Sequence, residues 1–449
     1  MKILSGYSSG NGRSSLVKKN VLASFVLKGI DGLVYLLIVP ATLGFLDKYS
    51  YGIWLTINSI LVWINTFDIG LGGGLRNSLT RSISIQDYEK SRKYISTTYF
   101  LLCVLSLVLF SIFCIISFFI DWYSLFNVDP KVIVNLPDVI VYSFLLFCVS
   151  FVLKIIGNIY TSLQLQAVNS LFNAIAYVLS LLLILFVRYV MPQGSLMIVA
   201  IIFSASPCIV YLFATPYAFY FHHPELRPSI KAIRLRECTH DLLGVGINFF
   251  VIQISSLIIN SMTNMLISNQ FGPEQVTPFN ISNRYIAICT LANSIVIAPI
   301  LSAVTDAQTK GDWRWIENAN NKVHKFMILF SIAIFLLLIV SPFVYPIWIG
   351  DSVQIPFMMT LLNSIYVFLL IWSSAKSTFL VGLNVLRIQL FMNVFQVIIF
   401  FPLTYGLGKH FGIYGLVMGL ILSNLPVAIT NTIQVSKLID GKAKGLWAK

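Results

Sequence analysis

Charge is the first thing this sequence is short of. Only 10% of its 449 residues are Asp, Glu, Lys or Arg, against 57% hydrophobic, and the mean hydropathy is +0.84. A water-soluble domain carries about 25% charged residues, so a soluble globular surface is excluded. The chain has 6 cysteines and none pair at metal-ligand spacing, which leaves free thiols and no metal centre. A phosphate-binding loop is absent too: Gly408-Lys409 is followed by His410 and lacks the first glycine, so ATP hydrolysis within the chain is excluded. His222, His223, His240, His324 and His410 fall in loops or near the ends of apolar runs, and none completes a nucleophile–base set. Neither an enzyme nor a cofactor is expected.

Long apolar runs are what the chain has instead. A helix crosses a bilayer in roughly 20 residues, and about a dozen stretches reach that length. They run Val21–Leu46, Gly52–Leu75, Ile95–Ile120, Val139–Leu163, Leu171–Val190, Leu196–Phe221, Leu243–Asn269, Phe279–Val304, Val323–Ile349, Pro356–Leu380, Ile388–Leu407 and Gly412–Val435. The first is too long for a signal-peptide core and is expected to stay. The fold expected is therefore an all-α polytopic membrane protein with about 12 transmembrane helices.

The net charge of +13 is unevenly placed. Lys2, Arg13, Lys18 and Lys19 precede the first run; Arg76, Arg81, Lys90, Arg92 and Lys93 follow the second; Arg227, Lys231, Arg234 and Arg236 follow the sixth. Lys310, Arg314, Lys322 and Lys325 follow the eighth, and Lys437, Lys442, Lys444 and Lys449 close the chain. Alternate loops hold only Lys48, Lys131, Arg188 and Lys409. That asymmetry predicts cytoplasmic termini and makes most of the basicity a topology signal, not a nucleic-acid surface. Outward loops are short, so no extracytoplasmic catalytic domain is expected.

The sequence also repeats. Leu79-Thr80 and Asp87-Tyr88 return as Val304-Thr305 and Asp312-Trp313, 225 residues later, and the same offset sets Trp54 on Phe279 and Asn58 on Asn283. Two pseudo-symmetric six-helix lobes follow: 1–221, a cytoplasmic linker at 222–242, and 243–449.

Polar groups inside apolar runs are costly, about 2.5–3.5 kcal/mol for a charge at mid-bilayer. Ser24, Lys28, Asp31 and Tyr35 share one helical face, as an ion pair that eases insertion or as cavity lining. Gln253, Ser256, Asn260 and Asn264 form a second face, and Asn58 and Asn280 with Arg284 extend the pattern. Such faces either join helices or line a wet path; several amides in line favour the central cavity. Lys28, Lys154, Arg284 and Lys376 against one deep acid, Asp31, give that cavity positive potential and suit it to an anionic, phosphate-bearing cargo. Asp31 is the candidate for ion coupling.

Tyr51-Gly-Ile-Trp54, followed by Phe67-Asp68-Ile-Gly70-Leu-Gly72-Gly-Gly-Leu-Arg76-Asn77, resembles the second helix of Wzx-type O-antigen flippases, within the multidrug/oligosaccharidyl-lipid/polysaccharide superfamily. Ala298-Pro299, Asp306-Ala307 and Gly311-Asp312 resemble that superfamily's eighth-helix ending. The resemblance implies two six-helix lobes around a cavity, in a bacterial inner membrane. It implies alternating access that carries an undecaprenyl-diphosphate-linked oligosaccharide between leaflets, with Lys28 and Arg284, joined by Lys154 and Lys376, on the diphosphate. Other polysaccharide-assembly membrane proteins are candidate partners. Asp68, with Gly70, Gly72 and Arg76, belongs to the motif, where an Asp before a glycine-rich turn satisfies backbone amides. A multidrug exporter of the same superfamily is the alternative, expected to carry more buried carboxylates; a membrane-embedded O-antigen polymerase would need a large outer loop.

Overall fold

The computed structural model describes residues 10–61, 71–163, 165–191, 193–243, 247–350 and 353–448; within them the side chains of 10–25, 28, 77, 84, 240–243, 247–257, 260, 295, 298, 299, 302, 306 and 309 lie outside the description. Asp68, Gly70 and the side chains of Lys28, Gln253 and Asn260 are therefore outside it.

The described elements are helical throughout: α1 (Gly10–Leu43), α2 (Lys48–Leu61), α3 (Leu71–Ser84), α4 (Tyr88–Phe119), α5 (Trp122–Phe126), α6 (Leu136–Leu153), α7 (Ile155–Ser162), α8 (Gln166–Val190), α9 (Leu196–Tyr217), α10 (Leu235–Leu243), α11 (Ile247–Phe271), α12 (Pro273–Ile286), α13 (Ile288–Thr309), α14 (Trp313–Ile349), α15 (Phe357–Gly382) and α16 (Arg387–Ile439), with short single-turn pieces between. Seven helices among the described residues are long and apolar enough to span a bilayer. One of them, α16, holds two expected spans joined through Gly412, whose φ of 64° and ψ of −155° are non-helical. The fourth expected span divides at Lys154 into α6 and α7, and the eighth divides at Ala287 into α12 and α13. Each division leaves carbonyls to be capped locally, as the Ala287 amide does by donating to Asn283 O at 2.8 Å.

Many large apolar residues stay exposed, and some buried helix faces are polar. The buried face of α4 is rich in hydroxyls, with Ser91, Ser96, Thr97, Thr98 and Ser106, while Leu107, Ile115, Phe118 and Phe119 are exposed. On α14, Leu329, Phe335, Leu336, Phe343 and Ile347 are exposed in the same way. Lipid tails are as apolar as leucine, so small and polar residues hold such helices together while large apolar ones face outward.

The 225-residue repeat is built into the backbone. Adding 225 carries both ends of α2 onto those of α12, and the starts of α4 onto α14. Asp87 and Asp312 are N-caps with almost the same backbone angles, φ −81°, ψ 78° and φ −84°, ψ 73°, each accepting from the amide three residues on. Ahead of them, Gln86 and Gly311 both take positive φ, 60° and 70°. The Asp87 amide donates to Ser82 O and the Asp312 amide to Ala307 O, at 3.0 and 2.9 Å. Thr80 Oγ1 donates to Arg76 O and Ser162 O; Thr305 Oγ1 does the same to Leu301 O and Gly382 O. Replacing either cap, Asp87→Ala or Asp312→Ala, is expected to cost about 1 kcal/mol, read as a few degrees' lower melting temperature of the detergent-purified protein.

Two units form. The first comprises Met1–Leu46, Ile60–Tyr123 and Asp129–Phe250; the second comprises Asp47–Ser59, Ser124–Val128 and Val251–Lys449. In the first, α1 packs on α8 and α6 on α9, with Ala41, Ile184 and Ile202 in one buried cluster. The stretch 222–242, expected as a linker between lobes, is docked onto α4 of this unit. The Ser229 and Arg234 amides donate to Ser96 Oγ and Thr97 Oγ1 at 2.9 and 3.0 Å, and Leu226 and Cys238 are buried. The second unit gains most of α2 from the other side of the expected boundary, because α2 packs on its own repeat counterpart. Thr277 Oγ1 donates to Lys48 O at 2.8 Å, and Gly52 lies flush against the Pro273 carbonyl.

Candidate functional site

In the first unit, α1 carries Lys28 and Asp31; Asp31 is half-buried. Lys154 is exposed at the α6–α7 break, where its amide donates to Ser150 O and its carbonyl accepts from the Gly157 amide, both at 2.9 Å. Gly72 is buried in α3 and Arg76 exposed on it.

The second unit contains two distinct polar centres. The first lies where α2, α11 and α12 meet. Asn264, buried at 7% exposure, donates to Leu55 O at 3.4 Å and accepts from Asn280 Nδ2 at 2.8 Å. Ser59 Oγ, next to half-buried Asn58, donates to Ser261 O. Asn264 is thus a tie between three helices. Arg284 stands one turn beyond Asn280 on the same face of α12, half-buried, in the last turn, where the helix dipole favours a cation. Its neighbours Ser282 and Asn283 bond to α15: Asn363 Nδ2 donates to Ser282 Oγ at 3.1 Å, and Asn283 Nδ2 to Asn363 Oδ1 at 3.4 Å.

Those bonds fix depth. Arg284 enters at the level of Asn363, whereas Lys376 is further along α15, about 20 Å away at 1.5 Å per residue. The structure does not bring these two cations together.

Lys376 makes the second centre. It is 1% exposed, and its Nζ donates to Asn320 Oδ1 at 2.7 Å and hydrogen-bonds His324 Nε2, both on α14. The His324 ring stacks on Trp372, 5.6 Å between centroids at 16°, and Lys376 Nζ lies 5.6 Å from the indole centroid. Trp372 Nε1 donates to Thr432 Oγ1 of α16 at 2.8 Å. Sequence reasoning singled out Lys376 and missed His324, Asn320 and Trp372. The available signal was spacing: Asn320/His324 and Trp372/Lys376 are both four residues apart on one helical face.

Residues 17–305 match the family described as "Polysaccharide biosynthesis protein". The chain belongs to that family. Similar proteins align along nearly its whole length. A protein of Salmonella typhi named for O-antigen transport is 20% identical over 89% of this chain and 91% of its own. One of Salmonella typhimurium, also named for O-antigen transport, is 22% identical over 91% and 92%. One of Yersinia pseudotuberculosis, named for O-antigen export, is 20% identical over 86% and 88%. Among solved structures, a multidrug resistance MATE family transporter of the MOP superfamily, in its inward-facing conformation, superposes with a TM-score of 0.77 at 15% identity, covering 94% of this chain and 98% of that one. A structure described as the outward-facing conformation of a multidrug resistance MATE family transporter gives 0.64 at 16% identity, over 95% and 96%. This polysaccharide biosynthesis family member therefore has the MATE fold.

Proposed function

We propose that this protein is a polysaccharide flippase of a bacterial inner membrane, with both termini cytoplasmic. It moves an undecaprenyl-diphosphate-linked oligosaccharide from the cytoplasmic to the periplasmic leaflet by alternating access. Family membership together with full-length likeness to proteins named for O-antigen transport and export carries this reading. The physical need is clear. A diphosphate with a sugar chain cannot cross hydrocarbon unaided, whereas its isoprenoid tail never has to leave it. Catalysis of bond formation is not required, only a polar passage with cations for the phosphates.

Arg284 and Lys28 are assigned to the diphosphate, with Lys154 receiving it from the inner surface. Half-buried Arg284 offers a planar donor fork beside the Asn264–Asn280 amides, and amides of this kind suit sugar hydroxyls. Lys376 is enclosed and already bonded, so it is left out of that set. Asp31 stays the candidate for ion coupling on α1. The multidrug-exporter alternative shares the fold, but among the described residues the buried or half-buried charges within the apolar runs are Arg284 and Lys376 against Asp31, a balance that disfavours organic cations.

The test is complementation of a bacterial strain lacking its own O-antigen flippase, scored as surface polymer on silver-stained gels. Restored polymer is expected from the wild-type chain, and from neither Lys28→Ala nor a vector control. Accumulated chain in the membrane with no polymer, across several O-antigen backgrounds, would sink the reading.

A further inference from the structure

We propose that His324 and Lys376 form a proton-binding site in which protonation of His324 transfers the Lys376 ammonium from α14 to carboxamide oxygens on α16. The starting observation is the nitrogen-to-nitrogen hydrogen bond between Lys376 Nζ and His324 Nε2. Such a bond holds one hydrogen. With Lys376 as ammonium, Nζ–H donates, and Nε2 must be bare, which leaves the imidazole neutral with its proton on Nδ1. A proton arriving at Nε2 sets N–H against N–H and positive charge against positive charge, so the bond breaks.

The groups around the pair make this outcome specific. On α14, Asn320 accepts from Lys376, while Lys322 and Lys325 are exposed. On α15 the neighbour is Trp372, and on α16 Lys437 is turned to the Trp447 ring at 3.8 Å. On α13 the side chain of Asp306 lies outside the described residues. Among the described residues no carboxylate forms an ion pair with His324 or Lys376 that could absorb a second charge.

The displaced ammonium has somewhere to go. Ser377 and Ser373, on the turns of α15 flanking Lys376, accept from Gln389 Nε2 and Asn431 Nδ2 of α16. The carbonyl ends of those two amides, Gln389 Oε1 and Asn431 Oδ1, are buried at residues 4% and 0% exposed, and among the described residues neither accepts a hydrogen bond. Buried acceptors without donors cost free energy, and a lysine ammonium carries three donors. Ser373 and Ser377 project about 60–100° round the helix from Lys376, so a change of side-chain rotamer turns Nζ toward them. One arrangement ties α15 to α14, the other ties it to α16.

Trp372 reports and transmits the change. It stacks on His324, holds Thr432 of α16, and walls an apolar groove of about 360 Å³ with Phe368, Leu425, Ile429 and Ile433. Losing its imidazole partner frees the indole beside that space. Using this site to drive transport rests on the function proposed above; the site itself does not.

The experiment is a pH titration of the purified full-length protein in nanodiscs, with ¹³Cε1-labelled histidine observed by NMR. Five histidines give few signals, and His324→Gln identifies one of them. That signal is expected to shift with pH as His324 binds a proton. In Lys376→Met its midpoint should rise by about one pH unit, because a neighbouring positive charge is gone. In Asn431→Leu it should fall, because the ammonium loses an acceptor on α16. Trp fluorescence should change with the same midpoint in wild type and lose that change in both His324→Gln and Trp372→Phe. A His324 signal that does not titrate, or a midpoint unmoved by Lys376→Met, would overturn the site; a midpoint unmoved by Asn431→Leu would overturn the transfer to α16. No lipid-linked sugar enters these titrations, so their outcome is separate from that of complementation.

Discussion

Gly52→Val is expected to abolish accumulation of folded protein. A Cβ at Gly52 would lie 1.9 Å from the Pro273 carbonyl oxygen, 2.8 Å from its carbon and 3.2 Å from Thr277 Oγ1. Two of these atoms are backbone, so no side-chain rotation relieves the overlap. Pro273 cannot retreat easily either: it opens α12 directly after Gly272, whose φ of 88° admits few other residues. Separating α2 from α12 would break the Thr277–Lys48 bond and loosen Asn264 from Leu55. Overpacking costs about 1–3 kcal/mol, and each lost hydrogen bond adds roughly 1 kcal/mol, against a typical total of about 5–15 kcal/mol. Size-exclusion chromatography of a fluorescent fusion should show the monodisperse peak lost. Gly73→Ala is the control, because a Cβ there meets nothing within 4 Å. Equal peaks for Gly52→Val and wild type would mean that α2 does not rest on α12 as described.

Arg284→Ala is expected to stop transport while leaving the protein in the membrane. A hydrogen bond to a charged group contributes about 1.5–3 kcal/mol, so removing the guanidinium should weaken diphosphate binding roughly 10- to 150-fold. Surface polymer in the complemented strain should fall to background. Arg284→Lys keeps charge but loses the planar fork, and partial polymer is expected. A purely structural role at the end of α12 would instead show as reduced protein level in both variants. Normal polymer from Arg284→Ala at normal protein level would remove the residue from the phosphate site.

Much of the fold was legible because membrane insertion writes itself locally. Runs such as Ile95–Ile120 and Val323–Ile349 stand out by length and hydropathy alone, and helices Tyr88–Phe119 and Trp313–Ile349 contain nearly all of them. The repeat was legible for a related reason: a helix start needs a cap, and Asp87 and Asp312 mark the same start 225 residues apart. Less visible were the breaks at Lys154 and Ala287, since neither position carries a proline or glycine. The stretch 222–242 was expected as a cytoplasmic linker between the two lobes. Backbone amides within it donate to hydroxyls on α4, and an amide leaves no trace in residue identity.

For the candidate site, the sequence named the charged residues and the tertiary structure decided their company. Positive charge within apolar runs at Arg284 and Lys376 was plain from composition. That Arg284 lies beside Ser282–Asn283–Asn363, and Lys376 about 20 Å along α15 from Asn363, against His324 and Asn320 of α14, depended on which faces of α12, α14 and α15 meet. By itself the sequence determined a polytopic, internally duplicated chain with cations in its apolar runs, because hydropathy and capping act over a few residues. Only packing decided that Asn264 is a tie, that Lys376 is enclosed and that His324 shares its hydrogen bond. Apolar helix faces are nearly interchangeable in lipid, so the choice of neighbour rests on small residues and buried amides whose partners lie far away in the chain.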